Sequence, residues 1–398
     1  MNRTTYDAVI LGGGMSGLMA ALALIGKGKR VAVVSKGDPV CCLSTGCIDV
    51  LLHENNPLAG IDSLPENHPY RLVGEETIAA SLEMFTEIMG ETQFPYRGDT
   101  GTNRTILTPM GTKKITCLVP ETMEFADCHP DEYIHIISFN NIKDFYPSYI
   151  TSRYQNSGRS TFNTEVASTA AIAERFEEEA FRGEFIAWLK GQDIPDGKIA
   201  LPAVLGTRTT GKIYDEISQE LARPIFEIPT LPPSMPGLRL FRTLKNTFLG
   251  MGGSIYWGRD ISSVEKLGAQ LEALTLSNQG RATRVQGKAF VLATGSFVSG
   301  GLYAAMDSIE ERVFGLPVHI PEEREHWFKD NFFTTGHAIE RAGIEVDSSF
   351  RPIDSPYENL FACGSILAFS EVMKYGCGHG MAVATGFAAA QKCEEYIQ

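Results

Sequence analysis

The chain has 398 residues, of which 43% are hydrophobic and 21% charged, so we expect a globular protein of two or three domains. Its 48 acidic residues outnumber the 35 lysines and arginines, which gives a net charge of −13. A chain of this charge without a basic run is not expected to bind nucleic acid. The sequence contains no unbroken apolar stretch of about 18 residues, so it predicts no membrane span.

The amino terminus and the cysteines argue against two further classes. Asp7 and the glycines at 12–14 interrupt the first apolar run, so we do not interpret that run as a secretory signal. The eight cysteines include no CxxC pair, which argues against a zinc or iron–sulfur site, and we predict no metal. We expect reduced thiols in a cytoplasmic protein.

The first 35 residues predict a strand–helix–strand unit. A buried strand at 6–11 ends in glycines, a helix of small apolar residues follows at 15–26, and a second buried strand lies at 30–34. Near the other end of the chain, residues 288–293 and 359–363 predict further buried strands, and 380–396 predicts a closing helix.

The middle of the chain predicts a second, smaller α/β layer. Apolar strands at 133–139 and 200–205 are separated by a charged amphipathic helix near 165–190. The proline-dense segment 229–236 is predicted to be non-helical and to mark the return to the first domain. Residues 252–288 then predict a meander of short strands with turns at Gly268 and at 278–280.

These elements predict an α/β, Rossmann-type fold with an inserted smaller α/β domain. Residues 1–75 and 240–398 would form a discontinuous ligand-binding domain, and 76–239 the inserted domain.

A dinucleotide-binding fingerprint opens the chain. Gly12-x-Gly14-x-x-Gly17 directly follows the first strand and begins the first helix, which is the context that this motif requires. An acidic residue about 20 positions further on usually holds the adenosine ribose, but Ser35-Lys36 stand at that place. The phosphate turn is therefore present while the adenosine contact is weakened, which favours FMN, or a loosely held dinucleotide such as FAD, over NAD.

Further loops would complete a flavin site. Residues 44–46 offer hydroxyls and backbone N–H groups after the second strand, while 294–295 and 364–365 follow later strands at the edge where open α/β sheets bind ligands. Residues 378–380 begin the last helix, whose amino end could face the flavin ring. The predicted cofactor-binding residues are Gly12, Gly13, Gly14, Ser16, Gly17, Ser35, Lys36, Ser44, Thr45, Gly46, Thr294, Gly295, Gly364, Ser365, Gly378 and Gly380.

Six segments together resemble one flavoprotein family. They are GGGMSGL, STGCIDVL, PTLPPSMPGLRL, LATGSFVSGGL, ENLFACGSIL and GCGHGMAVATG. With them the chain resembles the B-subunit of the anaerobic glycerol-3-phosphate dehydrogenase, over nearly its whole length. That family is similar to the fumarate-reductase-type flavoproteins, which implies the two-dinucleotide-binding flavoprotein fold.

The resemblance also implies a function and partners. In that family the complex oxidises sn-glycerol 3-phosphate to dihydroxyacetone phosphate with a quinone as acceptor. The A-subunit is the FAD-containing catalytic partner, the C-subunit holds the iron–sulfur clusters and the membrane contact, and the B-subunit is described as an FMN protein. The resemblance therefore implies a cytoplasmic chain that reaches the inner face of the cell membrane only through a partner.

Alcohol oxidation needs a base for the hydroxyl proton, and binding this substrate needs cations for its phosphate. His379, among the glycines before the last helix, and His337 are the candidate bases, although His337 could instead cap a helix. Arg239 and Arg351 are candidate partners of the substrate phosphate, and each could instead be a structural surface arginine.

Two alternatives stay open from the sequence. One is a self-sufficient FAD-dependent oxidoreductase of the fumarate-reductase type. The other is a non-redox assembly subunit with a decayed nucleotide site, which Ser35 and Ser365 favour because acids usually occupy these places in flavoproteins. The intact glycines count against the second alternative. A glycine costs backbone entropy on folding, so it is not expected to remain where no unusual φ or close approach requires it.

Overall fold

A computed structural model of the chain describes residues 5–52, 54–129, 131–277, 282–306 and 308–398. The strands within these ranges are β1 Thr5–Leu11, β2 Val31–Ser35, β3 Tyr96–Arg97, β4 Arg104–Leu107, β5 Lys113–Thr116, β6 Val119–Pro120, β7 Ile134–Phe139, β8 Ser157–Phe162, β9 Lys198–Pro202, β10 Ile225–Ile228, β11 Ser254–Trp257, β12 Asp260–Leu267, β13 Gln270–Ser277, β14 Thr283–Leu292, β15 Leu302–Ala304, β16 Ile309–Glu311 and β17 Leu360–Ala362. The α-helices are α1 Met15–Gly26, α2 Pro69–Val73, α3 Glu75–Gly90, α4 Pro147–Thr151, α5 Thr169–Phe176, α6 Glu179–Lys190, α7 Thr210–Leu221, α8 Met235–Gly250, α9 Val372–Tyr375 and α10 Gly378–Ile397.

The chain packs as two compact units. The first consists of Met1–Val40, Val50–Phe85 and Leu244–Gln398, and the second of Cys41–Asp49 and Thr86–Thr243. The domain limits expected from the sequence, after residues 75 and 239, stay a prediction. None of the helices in the described ranges is long and apolar enough to cross a membrane.

A mixed sheet forms the centre of the first unit. Strands β11, β2, β1 and β14 lie side by side and parallel, and β17 pairs in parallel with the end of β14. Near its start, β14 pairs on that same side with antiparallel β13, which in turn pairs with β12. The parallel strands therefore end at one edge of the sheet, the edge at which such folds bind ligands.

The predicted elements of this unit are largely confirmed. Helix α1 has the expected bounds, and strands β1, β2 and β17 lie where the buried apolar runs predicted them. Strand β14 begins five residues earlier than expected, because its first residues pair with β13. The β12–β13 hairpin turns at Gly268 with φ +60, as predicted, whereas the predicted turn at 278–280 lies outside the described residues.

Helix α1 and the last helix pack against each other in this unit. Helix α1 is rich in alanine and buried along most of its length, and α10 presents buried Ala384, Ala389 and Ala390. Small side chains allow two helix backbones to approach closely. This packing places Thr385 and Gly386 of α10 beside the turn after β17 and the start of α1.

A four-stranded parallel sheet, in the order β10-β9-β7-β8, organises the second unit. Aromatic side chains of the sheet and of the flanking helices form its core; Phe139 and Phe176 have ring centroids 6.1 Å apart. The middle of the chain thus has the strands and helices of the second α/β layer that the sequence predicts.

Two local predictions for this unit are wrong. The single helix expected near 165–190 is two helices, α5 and α6, which are interrupted after Phe176. At the break, the Glu177 carboxylate accepts hydrogen bonds from the backbone N–H groups of Thr207 and Arg208, at 2.7 and 2.6 Å. Burial opposes ionisation of Glu177, but these bonds and those from Thr209 lower its pKa to about 2.

The proline-dense segment was also predicted too broadly. Helix α8 already begins at Met235, so Pro236 lies inside its first turn. A proline is tolerated there because the first N–H groups of a helix have no intrahelical acceptor. Helices α3, α7 and α8 were not predicted.

Candidate cofactor site

The turn between β1 and α1 leads into a helix start without a side-chain cap. Gly12 has φ +120, a conformation that L side chains rarely adopt. Gly14 is the N-cap of α1; it makes no side-chain cap hydrogen bond, and the first helical turn carries no acidic residue. The first N–H groups of α1 and the positive end of its dipole are therefore available to an anion, which fits a cofactor phosphate.

Three turns at the sheet edge come together around this helix start. A Cβ added to Gly12 would overlap the backbone of Ala293 in the turn after β14, and one added to Gly17 would overlap the Gly12 carbonyl. Gly364, with φ +81, lies against the Ser16 side chain in the turn after β17. The structure thus brings the predicted residues of these three turns together.

Helix α10 supports the turn after β17 through a residue that the sequence reasoning missed. The Gly364 N–H donates to Thr385 Oγ1 at 3.0 Å, and the Thr385 hydroxyl donates to the Met381 carbonyl at 2.7 Å. One residue further on, Gly386 lies against the Ser16 backbone, where a Cβ would not fit. A glycine inside a helix costs about 1 kcal/mol relative to alanine, so Gly386 was a signal of close packing that could have been read.

The turn after β14 contains a polar atom without a partner. Thr294 Oγ1 is buried and makes no hydrogen bond within the part of the chain that the structure describes. Gly295 has φ +75, and a Cβ on it would lie 3.4 Å from the Ser365 hydroxyl oxygen. An unpaired buried hydroxyl is costly and usually has a reason, and a polar ligand at this sheet edge would provide one. These residues fit a bound nucleotide.

Ser35 and Lys36 stand where flavoproteins usually hold the adenosine ribose. Ser35 is buried, and its hydroxyl donates to the Gly37 carbonyl at 3.0 Å. The exposed Lys36 ammonium pairs with the Asp260 carboxylate at 3.0 Å. Both side chains thus have partners within the chain.

The loop 44–46 belongs to the second unit and is closed by its own contacts. The Ser44 hydroxyl donates to the Cys41 carbonyl at 2.7 Å and accepts from the Gly46 N–H at 3.1 Å. Thr45 Oγ1 accepts from the Cys47 N–H at 3.4 Å. A cofactor-binding role for this loop stays a prediction.

The predicted turn at 378–380 forms the first residues of α10. Gly378 begins the helix after the N-cap Cys377, which makes no side-chain cap hydrogen bond. Apart from its chain neighbours and its own helix, no described residue comes within 4 Å of the place where a Cβ of Gly378 would be, so there is open space beside Gly378. His379 lies in this first turn and is half-buried.

His337 is held by backbone groups on both ring nitrogens. Nδ1 accepts from the Lys329 N–H at 3.0 Å, and Nε2 lies 3.1 Å from the Phe332 carbonyl, to which it donates in the matching tautomer. The ring is buried, and His337 is the N-cap residue of a short 3₁₀ helix at Ala338–Arg341. This is the helix-capping role that the sequence allowed as an alternative to catalysis.

Arg239 lies inside the second unit. Its guanidinium bonds both carboxylate oxygens of Glu227, at 2.5 and 3.1 Å, and donates to the Gly206 carbonyl at 2.9 Å. The side chain of Arg239 is 1% exposed and that of Glu227 is fully buried. Arg239 is therefore a buried structural residue, and not the structural surface arginine that the sequence allowed as an alternative.

Arg351 belongs to the first unit. Its guanidinium lies over the Phe361 and Tyr396 rings, 5.7 and 5.4 Å from their centroids, and its Nε is buried without a hydrogen-bond partner among the described residues. Tyr396 lies near the carboxyl end of α10, about 25 Å along the helix from His379, so the structure does not bring Arg351 together with the predicted base.

The cysteines near these turns are buried. Burial raises the pKa of the Cys363 thiol to about 12 and that of the Cys47 thiol to about 11. Neither thiol is therefore ionised near neutral pH, and both pack as small apolar groups.

Comparison with known proteins identifies the class to which this fold and site belong. The model of the FAD binding domain family matches residues 7–188 and 183–381, which together span most of the chain. The chain belongs to this family of flavoproteins, so the predicted two-dinucleotide-binding flavoprotein fold is confirmed. The family is named for the binding of FAD, so the preference for FMN that Ser35 suggested is not supported.

Two curated relatives cover nearly the full chain. One, from Aliivibrio fischeri strain MJ11, is 30% identical over 439 aligned positions, covering 99% of this chain and 96% of the relative. Another, from Pectobacterium atrosepticum, is 30% identical, covering 97% of this chain and 98% of the relative. Both are named as the B-subunit of anaerobic glycerol-3-phosphate dehydrogenase, and the chain is a member of that B-subunit family.

A solved structure of an E. coli quinol fumarate reductase variant is also similar. It is 10% identical, with a TM-score of 0.46, and the match covers 100% of this chain and 71% of that one.

Proposed function

We propose that this chain is the flavin-binding subunit of an anaerobic glycerol-3-phosphate dehydrogenase. It would oxidise sn-glycerol 3-phosphate to dihydroxyacetone phosphate with a quinone as final acceptor, or relay electrons to an iron–sulfur partner subunit. The observation that carries the proposal is the convergence of three sheet-edge turns at the uncapped start of α1, in a chain that belongs to the B-subunit family.

The cofactor we propose is FAD, with FMN as the alternative. The N–H groups at the start of α1 would hold a phosphate, and the Thr294 hydroxyl would gain the polar partner that it lacks among the described residues. When bound, the flavin supplies a two-electron acceptor. The Ser35 hydroxyl donates to the Gly37 carbonyl, and no carboxylate stands at this position. The adenosine of FAD would therefore need contacts other than the usual ribose carboxylate.

We place the base for the substrate hydroxyl at His379, not at His337. His379 lies in the first turn of α10, next to the open space at Gly378, and the positive end of this helix would face the flavin ring. His337 is set aside because backbone groups fix both of its ring nitrogens. Neither arginine is retained for the substrate phosphate. The Arg239 guanidinium is already bonded to Glu227, and Arg351 lies over Tyr396, about 25 Å along α10 from His379, too far for one small substrate to contact both.

The proposal includes partner chains. The relatives are named as subunits, and we propose that this chain assembles with the A-subunit, which would contain FAD, and with the iron–sulfur C-subunit. The C-subunit would supply the contact with the inner face of the cell membrane. Co-purification from cells that produce all three chains tests this assembly, and recovery of this chain alone, fully active with substrate and a dye, would refute the partner-dependent role.

The reaction is tested by anaerobic titration of the purified chain, alone and with its partners. We expect sn-glycerol 3-phosphate to bleach the visible flavin band, while glycerol, which lacks the phosphate, leaves it unchanged. If the flavin of the complete complex stays oxidised with sn-glycerol 3-phosphate, the proposed substrate is wrong. His379→Asn should slow the bleaching, whereas His337→Asn should mainly affect stability.

A further inference from the structure

The segment that leads into α10 has an unusual backbone. Phe369 has φ 60 and Glu371 has φ 34, in the left-handed region that non-glycine residues rarely adopt, and Gly376 follows with φ 58. Non-glycine residues in this region are strained and persist only where surrounding contacts fix them. Other parts of the first unit must therefore hold this segment in place.

The Glu340 carboxylate supplies two of these contacts and also binds a second segment. One carboxylate oxygen accepts from the N–H groups of Gly336 and His337, at 3.0 and 3.1 Å. The other accepts from those of Met373 and Lys374, at 3.0 and 3.2 Å. One side chain thus joins two segments that are more than 30 residues apart in sequence.

The contact with the second segment satisfies the beginning of α9. The N-cap residue of that one-turn helix, Glu371, makes no side-chain cap, and its carboxylate pairs instead with the Lys374 ammonium at 2.9 Å. The N–H groups at the start of a helix need an acceptor. Glu340 provides that acceptor from outside the helix.

Hydrogen bonds continue from α9 into the first turn of α10. The Cys377 N–H donates to the carbonyl of Val372, the first residue of α9, at 3.3 Å. The Cys377 carbonyl in turn accepts from the Met381 N–H in the first turn of α10, at 2.8 Å. The N-cap of α10 is therefore bonded directly to the helix that Glu340 holds.

We propose that Glu340 is a positioning residue for the amino end of α10: through α9 it fixes the turn Cys377–Gly380, and with it the orientation of His379. Glu340 does not touch the substrate in this proposal. The consequence for flavin and substrate rests on the proposed function, whereas the coupling from Glu340 to the α10 turn rests on the hydrogen bonds alone.

Amide hydrogen exchange tests the coupling directly. The variants are Glu340→Ala, which removes both acceptors, and Glu340→Gln, which keeps the side-chain length and one acceptor oxygen. The matched control is Glu322→Gln: its exposed carboxylate pairs with Arg341, in the same 3₁₀ helix as Glu340, at 2.8 Å. Exchange is followed in peptides covering 372–381 and in peptides from β1 and β14.

We expect Glu340→Ala to raise exchange at the Cys377 and Met381 amides by about tenfold or more, with the β1 and β14 amides unchanged. Glu340→Gln should fall between Glu340→Ala and the parent chain, and Glu322→Gln should match the parent chain. Unchanged exchange at Cys377 and Met381 would overturn the proposal, as would an equal rise across the whole first unit.

A second measurement tests the link to the cofactor. In flavin-containing protein, Glu340→Ala should shift the flavin reduction potential and its visible spectrum, while Glu322→Gln leaves both unchanged. Faster exchange without any change in the flavin would overturn the link to the cofactor. If the chain binds no flavin, the proposed function fails, and the exchange pattern still decides the coupling.

Discussion

Protonation of His68 should destabilise the first unit as the pH falls. The ring is fully buried; Nδ1 accepts from the Tyr70 N–H at 3.1 Å, and Nε2 lies 3.2 Å from the Ser370 carbonyl, to which it donates. A protonated ring would carry N–H groups on both nitrogens, so it would lose the Tyr70 bond and place a charge in the interior.

The size of the effect follows from the pKa. Burial, with a smaller contribution from the nearby Lys374 charge, lowers the pKa of His68 from 6.5 to about 4, although its bond to Ser370 acts in the opposite direction. As the pH falls below 6.5, the unfolded chain binds the proton first, so stability is full above that pH and is lost progressively down to about pH 4. The complete loss is about 3 kcal/mol, of which about 2 kcal/mol is reached near pH 5.

Urea denaturation near neutral pH and near pH 5 measures this loss. His68→Asn is the test variant, because asparagine keeps an acceptor for the Tyr70 N–H at the start of α2 but does not titrate. The parent chain should lose about 2 kcal/mol more than the variant over this range. The control is His326→Asn, whose ring is exposed, and it should behave as the parent chain does. Equal losses in the parent and His68→Asn would refute the reasoning.

Three further predictions concern the two units. Gly12→Ala should destabilise the chain by about 1 to 3 kcal/mol and lower its flavin content, because alanine rarely adopts the φ of Gly12. Gly26→Ala, at a position with open space beside it, should stay within about 1 kcal/mol of the parent chain. Thermal unfolding and flavin absorbance per chain measure the two effects. Thr385→Val should destabilise by about 1 to 3 kcal/mol, because it leaves the buried N–H of the turn after β17 unpaired, and Thr385→Ser should restore most of the loss. Arg239→Met should destabilise by about 3 to 5 kcal/mol, because the buried Glu227 loses its partner, and should leave the KM for sn-glycerol 3-phosphate unchanged; a raised KM without lost stability would return Arg239 to the substrate site.

The elements that could be predicted from the sequence are those with local causes. The bounds of α1 follow from a glycine turn, a run of small apolar residues and a second glycine-containing turn. The same holds for the sheet-edge turns at Gly295 and Gly364, because a strand that ends in glycine is a local signal.

The parts that were not predicted depend on residues distant in sequence. The break between α5 and α6 coincides with bonds from Glu177 to a loop that begins 30 residues later. The sequence cannot show such a contact, although the buried positions do change phase between the two helices: Phe176 and Phe181 are five residues apart, which is not a helical repeat. The early start of β14 likewise depends on its pairing with β13.

The site residues divide in the same way. Motif context located the glycine turn between β1 and α1, but it could not show that Arg239 is bonded to Glu227 or that His337 is bonded on both ring nitrogens. Each of those contacts is a property of the packed chain. Thr385 was missed for the same reason, since a threonine inside a helix gives no sequence signal of the turn that it supports.

The proposed function depends above all on a flavin held by the turns at the sheet edge of the first unit. The most direct test is to purify the chain, denature it with acid and identify the released chromophore by chromatography. We predict one flavin per chain, released as FAD. Release of FMN would contradict the proposed cofactor, and a colourless chain would contradict the redox function and favour the alternative of a non-redox assembly subunit.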